Sequence, residues 1–427
     1  MNAAPVLGVI ADDFTGATDV ASMLVREGMR TVQVIGVPQG AAPRDGADAV
    51  VVALKTRTTP ADDAVAESLA ALRWLQAAGV RRFYFKVCST FDSTPAGNIG
   101  PVAEALLAAL GSDFTIVCPA FPENGRSVYR GHLFVGDQLL SDSGMRHHPL
   151  TPMTDSNLVR VLQAQCHQRV GLLGHDQVAL GPDALRQRMA ALRGEGVVLA
   201  VADAISNADL HTLAEAALDL PLLVAGSGVA LGLPSRYARR GWVRLDADAA
   251  RLDAQAGRAA VLAGSCSQAT QGQVAQWRGA GRAAWALDAL ALAADAPVVA
   301  DALAWARERL ESGPVLIHAT VAPAELKAVQ AELGAARAGA LVEQAMAAIA
   351  QGLVDAGVQR LVVAGGETSG AVVQALGVHK LRIGAPICPG VPWTQAEGRA
   401  LWLALKSGNF GAPDFFAQAL EWGGASQ

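Results

Sequence analysis

Apolar residues in this chain fall into short runs separated by longer stretches with helical spacing. Runs rich in β-branched and aromatic residues at 6–10, 31–35, 49–54, 83–87 and 114–118 predict five strands. Between them, residues 60–78 set Ala64, Leu69, Leu72 and Leu75 at helical intervals, and residues 97–110 read the same way. Such alternation is the signature of a mainly parallel sheet with crossover helices. It breaks after Ala120, where residues 127–135 predict an inserted hairpin or an irregular lobe, and resumes at Gly171, Val197 and Leu222. A second series follows, with strands at 259–263, 283–287, 315–319 and 360–364 and helices that include 298–310 and 341–353. The stretch between the two series is polar, rich in Asp, Arg and Ala, and without a strand pattern. The expectation is an α/β fold of two domains with mainly parallel sheets: residues 1–240, a linker at 241–257, and residues 258–427.

Composition sharpens this picture by exclusion. A chain of 427 residues exceeds what one core usually supports, and 52% apolar residues can fill two. A net charge of -5, with no Lys/Arg-rich run, argues against a nucleic-acid partner. Anionic small molecules need only a few local cations or backbone N–H groups and stay in play. The cysteines, Cys88, Cys118, Cys166, Cys266 and Cys388, are odd in number and widely spaced, which predicts reduced thiols and a cytoplasmic location. The first residues reach Asp12 and Asp13 too early for a secretory leader, and no apolar run spans a bilayer, so no membrane partner is expected.

The chemistry gathers where strands end. Ala11-Asp12-Asp13-Phe14-Thr15-Gly16-Ala17-Thr18-Asp19 follows the first strand, at the edge where parallel sheets collect ligands. Asp12 and Asp13 can polarise a hydroxyl or orient a metal-bound water, and Thr15 and Gly16 suit a tight turn or helix start with free N–H groups. The alternative is an N-capping Asp with a solvated neighbour. Lys86 sits in the apolar fourth strand, ahead of Ser89, Thr90 and Asp92, where hydroxyls can bind a polyol. Its alternative is a lysine that snorkels to water. Arg57 and Arg126 follow the third and fifth strands and are candidates for a bidentate hold on a carboxylate. His148 opens a proline-stiffened loop, Pro149-Leu150-Thr151-Pro152-Met153, able to cover a ligand, and its surroundings lack a zinc-site spacing.

In the second half, Gly365-Gly366-Glu367-Thr368-Ser369-Gly370 is a glycine turn between strand and helix, suited to phosphate. Gly264-Ser265-Cys266-Ser267 is a second donor-rich turn able to meet the same nucleotide, and Lys406-Ser407-Gly408-Asn409-Phe410-Gly411 adds a third, expected near the adenine or ribose. Each alone also reads as an ordinary capped turn. There is no GxxxxGK[ST] loop, and Gly226-Ser227-Gly228 meets its next glycine at Gly232, one residue out of GxGxxG register, which disfavours a dinucleotide dehydrogenase.

These blocks, together with Gly131-His132-Leu133-Phe134-Val135-Gly136-Asp137, run in order from about Leu7 to Phe416 and resemble the four-carbon acid sugar kinase family, most of all its members that act on 3-oxo-tetronates. The resemblance implies a sugar-acid domain followed by a nucleotide domain, an active site in the interdomain cleft, and transfer of phosphate from ATP to the O4 hydroxyl of 3-oxo-tetronate. It carries nucleotide contacts to Ser265 or Ser267, to Gly365, Gly366, Glu367 and Thr368, and to Gly408. Asp13 is then the expected general base, Asp12 its orienting partner with the roles exchangeable, and Lys86 the charge stabiliser. Thr15, Arg57, Ser89, Thr90, Asp92, Arg126 and His148 are expected around the substrate. ATP with Mg²⁺ is the expected cofactor pair, with no metal ligands assigned. D-threonate or D-erythronate as substrate, a nucleotide-regulated sugar-acid sensor, and homo-oligomerisation all stay open.

Overall fold

A computed structural model of the chain describes residues 4–40, 46–148, 150–252 and 257–421. It comprises two compact units, Met1–Ala250 and Arg251–Gln427. Pro149 of the expected covering loop and residues 253–256 of the expected linker lie outside the described residues.

In the first unit, the strands are β1 (Leu7–Ala11), β2 (Thr31–Ile35), β3 (Ala49–Ala53), β4 (Arg82–Lys86), β5 (Thr115–Cys118), the small β6 (Arg126–Tyr129), β7 (His132–Val135) and β8 (Gln138–Leu139), then β9 (Arg169–Leu173), β10 (Val197–Ala202) and β11 (Leu222–Ala225). The main sheet runs β2-β3-β1-β4-β11-β5-β10-β9, with every pairing parallel. The chain leaves β1 toward β2 and β3 on one side and then crosses to β4 on the other. The carboxyl end of β1 is therefore a switch point, where adjacent connections diverge and leave a crevice. β6, β7 and β8 form the separate antiparallel insertion that the broken rhythm after Ala120 foretold.

The helix Phe14–Arg26 follows β1 and is buried from Phe14 to Val25. A helix apolar on all sides belongs inside a packed layer, and here that carries the polar Thr15, Thr18 and Asp19 inward too. Helices Ala61–Ala77 and Ile99–Leu110 occupy the crossovers that helical spacing predicted.

The second unit has β12 (Arg258–Ala263), β13 (Ala284–Ala286), β14 (Val315–His318), β15 (Val358–Ala364), β16 (Lys380–Cys388), β17 (Val391–Ala396) and β18 (Trp402–Lys406), in the order β13-β14-β12-β15-β18-β17-β16. β12 to β15 and β18 are parallel, whereas β17 pairs antiparallel with both β16 and β18. The sequence reading misses these last three strands. Pro386 and Pro392 interrupt β16 and β17, and a proline inside an apolar run argues against a ladder that needs its N–H. Their core is aromatic: Trp393 and Trp402 stack at 5.9 Å, and Phe415 and Phe416 pack into the same cluster.

Candidate active site

Three neighbouring strand ends build the acidic site of the first unit. Ala11 pairs in register with Ala53 on one side and Lys86 on the other. Immediately beyond, the Asp12 backbone stitches the ends together: its N–H donates to the Lys86 carbonyl at 3.1 Å, and its carbonyl accepts from the Thr56 and Arg57 N–H groups at 2.9 and 3.1 Å. The Asn98 side chain fixes the same loop by donating to the carbonyls of Thr56 and Thr59 at 2.6 and 3.1 Å.

Arg57 thereby lands on the two aspartates, 45 and 44 residues away in sequence. Its Nε and Nη2 donate to Asp12 at 2.9 and 2.7 Å, and Nη2 also reaches Asp13 Oδ1 at 2.7 Å. Its Nη1 faces Asp92 at 4.0 Å. The guanidinium edge suited to a carboxylate thus grips Asp12.

The two aspartates differ in kind. Asp12 is 2% exposed, so the solvated neighbour of the capping alternative is not what is found. Burial raises its carboxyl above the usual range, with Arg57 opposing. Asp13 is the N-cap of its helix, accepting from the Gly16 N–H and the Thr15 hydroxyl, both at 2.7 Å. The expectation of free N–H groups fails at Gly16, because the neighbouring carboxylate satisfies that donor. Burial also pushes Asp13 up, but Arg57, Lys86 and these hydrogen bonds outweigh it and hold the carboxyl below its ordinary value. Its side chain keeps 14% exposure against 3% for Asp12, so Asp13 is ionised and the more reachable of the two.

Lys86 is 2% exposed and does not snorkel. Its Nζ donates to the Val87 carbonyl at 2.8 Å, and its charge acts on Asp12, Asp13 and Asp19. Gly16 keeps this space open: a Cβ there would lie 2.9 Å from Lys86 Nζ and 3.5 Å from Arg57 Nη2. Beyond Lys86, Ser89 and Thr90 are buried, and the Thr90 hydroxyl donates to Asp92 at 2.6 Å. Phe91 and Asp92 take left-handed backbone angles (φ 65° and 41°), which non-glycine residues adopt only at a cost of about 1–3 kcal/mol each. Arg126 lies close enough to feel the charges of Asp19 and Asp92, and its burial lowers its pKa. His148 is held by its own loop, with Nδ1 accepting from the Thr151 N–H at 3.1 Å, and has no hydrogen bond to the acidic cluster among the described residues.

Sequence reasoning passes over Asp19. It accepts from Ser227 Oγ at 2.6 Å, while its other oxygen is buried without a hydrogen-bond partner among the described residues. Burial pushes its carboxyl up to about 6. Its signal was an aspartate amid the otherwise apolar or small residues of a helix following a strand end.

The second unit repeats the plan. Ala364 pairs in register with Ala263 and Lys406, so β12, β15 and β18 end side by side. Ser267 caps the helix Gln268–Gly279, accepts from the Thr270 N–H at 3.3 Å, and donates to the Gly408 carbonyl at 2.6 Å. Ser265 Oγ accepts from the Ser267 N–H at 3.2 Å. Gly365 has φ 128°, a conformation side-chain-bearing residues rarely take, and starts the helix Gly366–Ala375 with Glu367 and Thr368 in its first turn. A Cβ on Gly365 would stand 3.3 Å from the Ser265 N–H nitrogen, and one on Gly408 would stand 3.1 Å from Ser267 Oγ. The three glycine turns therefore converge, presenting a helix N-terminus, hydroxyls and close backbone. That is the equipment of a phosphate site.

An acidic strand end in one unit and a phosphate-type cradle in the other fit a small-molecule kinase, and the chain belongs to the four-carbon acid sugar kinase family. The family models that establish this are a sugar-binding N-terminal domain over residues 7–233 and a nucleotide-binding C-terminal domain over 260–416. Among curated relatives, a 3-oxo-tetronate kinase of Pseudomonas fluorescens is 65% identical over 98% of this chain and 97% of its own. One from Salmonella typhimurium is 46% identical over 97% and 98%. A crystal structure from Salmonella typhimurium LT2 covers 97% of this chain and 98% of its own, with 45% identity and TM-score 0.83. Among the described residues no helix is long and apolar enough to cross a membrane, and no group of three or more His, Cys, Asp or Glu side chains could hold a metal ion.

Proposed function

We propose that this chain transfers the terminal phosphate of ATP to the O4 hydroxyl of 3-oxo-tetronate, with the sugar acid held by residues 1–240, the nucleotide by 258–427, and 241–257 as the linker. The observation that carries this reading is Asp13: an ionised, reachable carboxylate with Lys86 and Arg57 beside it, at the switch point of a sugar-binding unit. Similarity along nearly the whole chain to relatives named 3-oxo-tetronate kinases supports the choice of acceptor.

In the proposed reaction, Asp13 takes the proton of the O4 hydroxyl as that oxygen attacks the γ-phosphorus; the new O–P bond forms as the bond to the β-phosphate bridge breaks, and ADP leaves. Positioning and charge stabilisation supply most of such a rate enhancement. Asp12 orients Asp13 through their shared Arg57, and Thr15 holds the other Asp13 oxygen. Lys86 balances the charge that develops near the attacking oxygen. Arg126, with the Nη1 side of Arg57 that also faces Asp92, receives the substrate carboxylate, and Ser89, Thr90, Asp92 and His148 complete its surroundings. Ser265, Ser267, Gly365, Gly366, Glu367, Thr368 and Gly408 hold the nucleotide. Glu367, in the first turn of the helix Gly366–Ala375, would be the carboxylate to help hold Mg²⁺, which would take its other ligands from water and phosphate oxygens. When bound, the ion neutralises phosphate charge. Free thiols and ATP use support a cytoplasmic location.

The test is an ADP-release screen over 3-oxo-tetronate, D-erythronate and D-threonate, with the product's phosphate located by NMR. A 4-phosphate formed fastest from the 3-oxo acid is expected. Preference for either hydroxy acid overturns the substrate, and acceptor-independent nucleotide binding without turnover overturns the enzyme in favour of a sensor.

A further inference from the structure

Lys406 is the last residue of β18 and is 0% exposed. Its ammonium donates to the Ser407 and Gly408 carbonyls at 2.9 Å each and to Thr270 Oγ1 at 3.2 Å. The Gly408 carbonyl also accepts from Ser267 Oγ at 2.6 Å and Thr270 Oγ1 at 2.9 Å. Three donors thus pin one carbonyl toward the protein interior. Because a trans peptide is planar, the Ser407 and Gly408 carbonyls held by the Lys406 ammonium turn the Gly408 and Asn409 N–H groups to the opposite side. Neither the Gly408 nor the Asn409 N–H has a hydrogen-bond partner among the described residues. The turn between Ser407 and Phe410, closed by the Phe410 N–H on the Ser407 carbonyl at 3.2 Å, therefore offers two donors outward.

The charge of Lys406 is unusual in having no acidic neighbour. Among the described residues no carboxylate lies within ion-pair distance, and the titratable group nearest in effect is the Cys388 thiol at the end of β16, which is no anion as a thiol. A buried cation without an anion is expensive to keep charged. Burial accordingly lowers it to about 7, far from its usual 10.5.

We propose that Lys406 is a positioning residue for the nucleotide phosphates: it holds the Gly408 carbonyl inward so that the Gly408–Asn409 turn presents its N–H groups to phosphate, and that phosphate is the counter-ion the fold leaves out. This rests on the second unit being the nucleotide site. An arriving phosphate stabilises the charged amine, so nucleotide binding near neutral pH draws a proton onto Lys406.

Calorimetry of Mg²⁺-ADP on the full chain, without acceptor and in buffers of different ionisation enthalpy, tests this. Lys406→Met is expected to weaken ADP about 10- to 100-fold, as for loss of a charge-assisted hydrogen bond. It should raise KM for ATP while leaving KM for the acceptor unchanged, and remove part of the wild-type proton uptake at pH 8. Thr270→Val, which spares the charge, should weaken ADP less and retain that uptake. A folded Lys406→Met with ADP affinity within about twofold of wild type overturns the inference. Should Lys406→Met not fold, wild-type ADP affinity in Thr270→Val overturns it instead. If ADP fails to bind the wild-type chain, the nucleotide reading falls and takes this one with it; if ADP binds wild type and variant alike, this one falls alone.

Discussion

Lys86 and Lys406 occupy matching places in the two units. Each ends a strand, each is buried, and each pairs in register with the alanine just before a chemistry-bearing turn, Ala11 in one case and Ala364 in the other. Their neighbours differ. Lys86 faces the charges of Asp12, Asp13 and Asp19, with Arg57 as a second cation. Lys406 faces carbonyls and a hydroxyl. The first arrangement balances its charge internally and leaves an ionised carboxylate beside it, which suits taking a proton. The second leaves positive charge in want of an anion, which suits phosphate. A strand-end lysine carries no fixed function; the groups within reach of its ammonium decide it.

Asp13→Asn strikes this contrast hardest. Asn caps a helix about as well as Asp, so stability should hold while kcat falls about 10²–10⁴-fold. A near-wild-type kcat would remove the acid–base role from the Lys86 side altogether. The pH profile of kcat/KM separates the two aspartates. With Asp13 as base, the acid limb lies below the ordinary carboxylate range, since Asp13 is lowered; with Asp12 as base it lies above, since Asp12 is raised.

Arg57→Met comes next. Removing the partner of the buried Asp12 carboxylate, which also holds the half-buried Asp13, typically costs about 3–5 kcal/mol, readable by urea unfolding. A cost under about 1 kcal/mol would mean the Lys86 side is not balanced as described.

Asp19 and Lys406 give opposite pH signatures. Asp19 is raised from 3.8 to about 6, so the stability it contributes is full below pH 3.8 and lost as pH rises through 6. Lys406 is lowered from 10.5 to about 7, so its contribution is present at high pH and lost as pH falls through 7. Asp19→Asn should therefore gain on wild type by about 2–3 kcal/mol between pH 4 and 6.5 and by no more above it, measured by urea titration at each pH. A pH-independent difference between the two chains would show that Asp19 titrates normally. The smallest expected effect is Ser267→Ala, about 1 kcal/mol for a lost cap, with thermal unfolding as the readout.

Much of this was legible in the sequence because strand ends are local features. β1 to β5 fall within a residue of the apolar runs, and the Gly264 and Gly365 turns sit where strand gives way to helix. What met what was not legible. Arg57 reads as a seat for an outside carboxylate until the fold brings it to Asp12, and Asp19 reads as one more helix residue until that helix proves buried on every side. Lys406 carries the same sign as Lys86, a cation closing an apolar run, yet its turn was read for its glycines alone. β16 and β17 were hidden by their prolines, although the aromatic core beneath them depends on Trp393 and Trp402.

Gly16 bears on anyone who wants a hardier version of this protein. Replacing glycine by alanine inside a helix ordinarily gains about 1 kcal/mol, so heat-resistance screens guided by helix propensity will rank Gly16→Ala early. Here the added methyl would enter the space shared by Asp13, Lys86 and Arg57, and would disturb the carboxylate that caps the same helix. At this position helix propensity recommends a residue that neither the cap nor the site can hold.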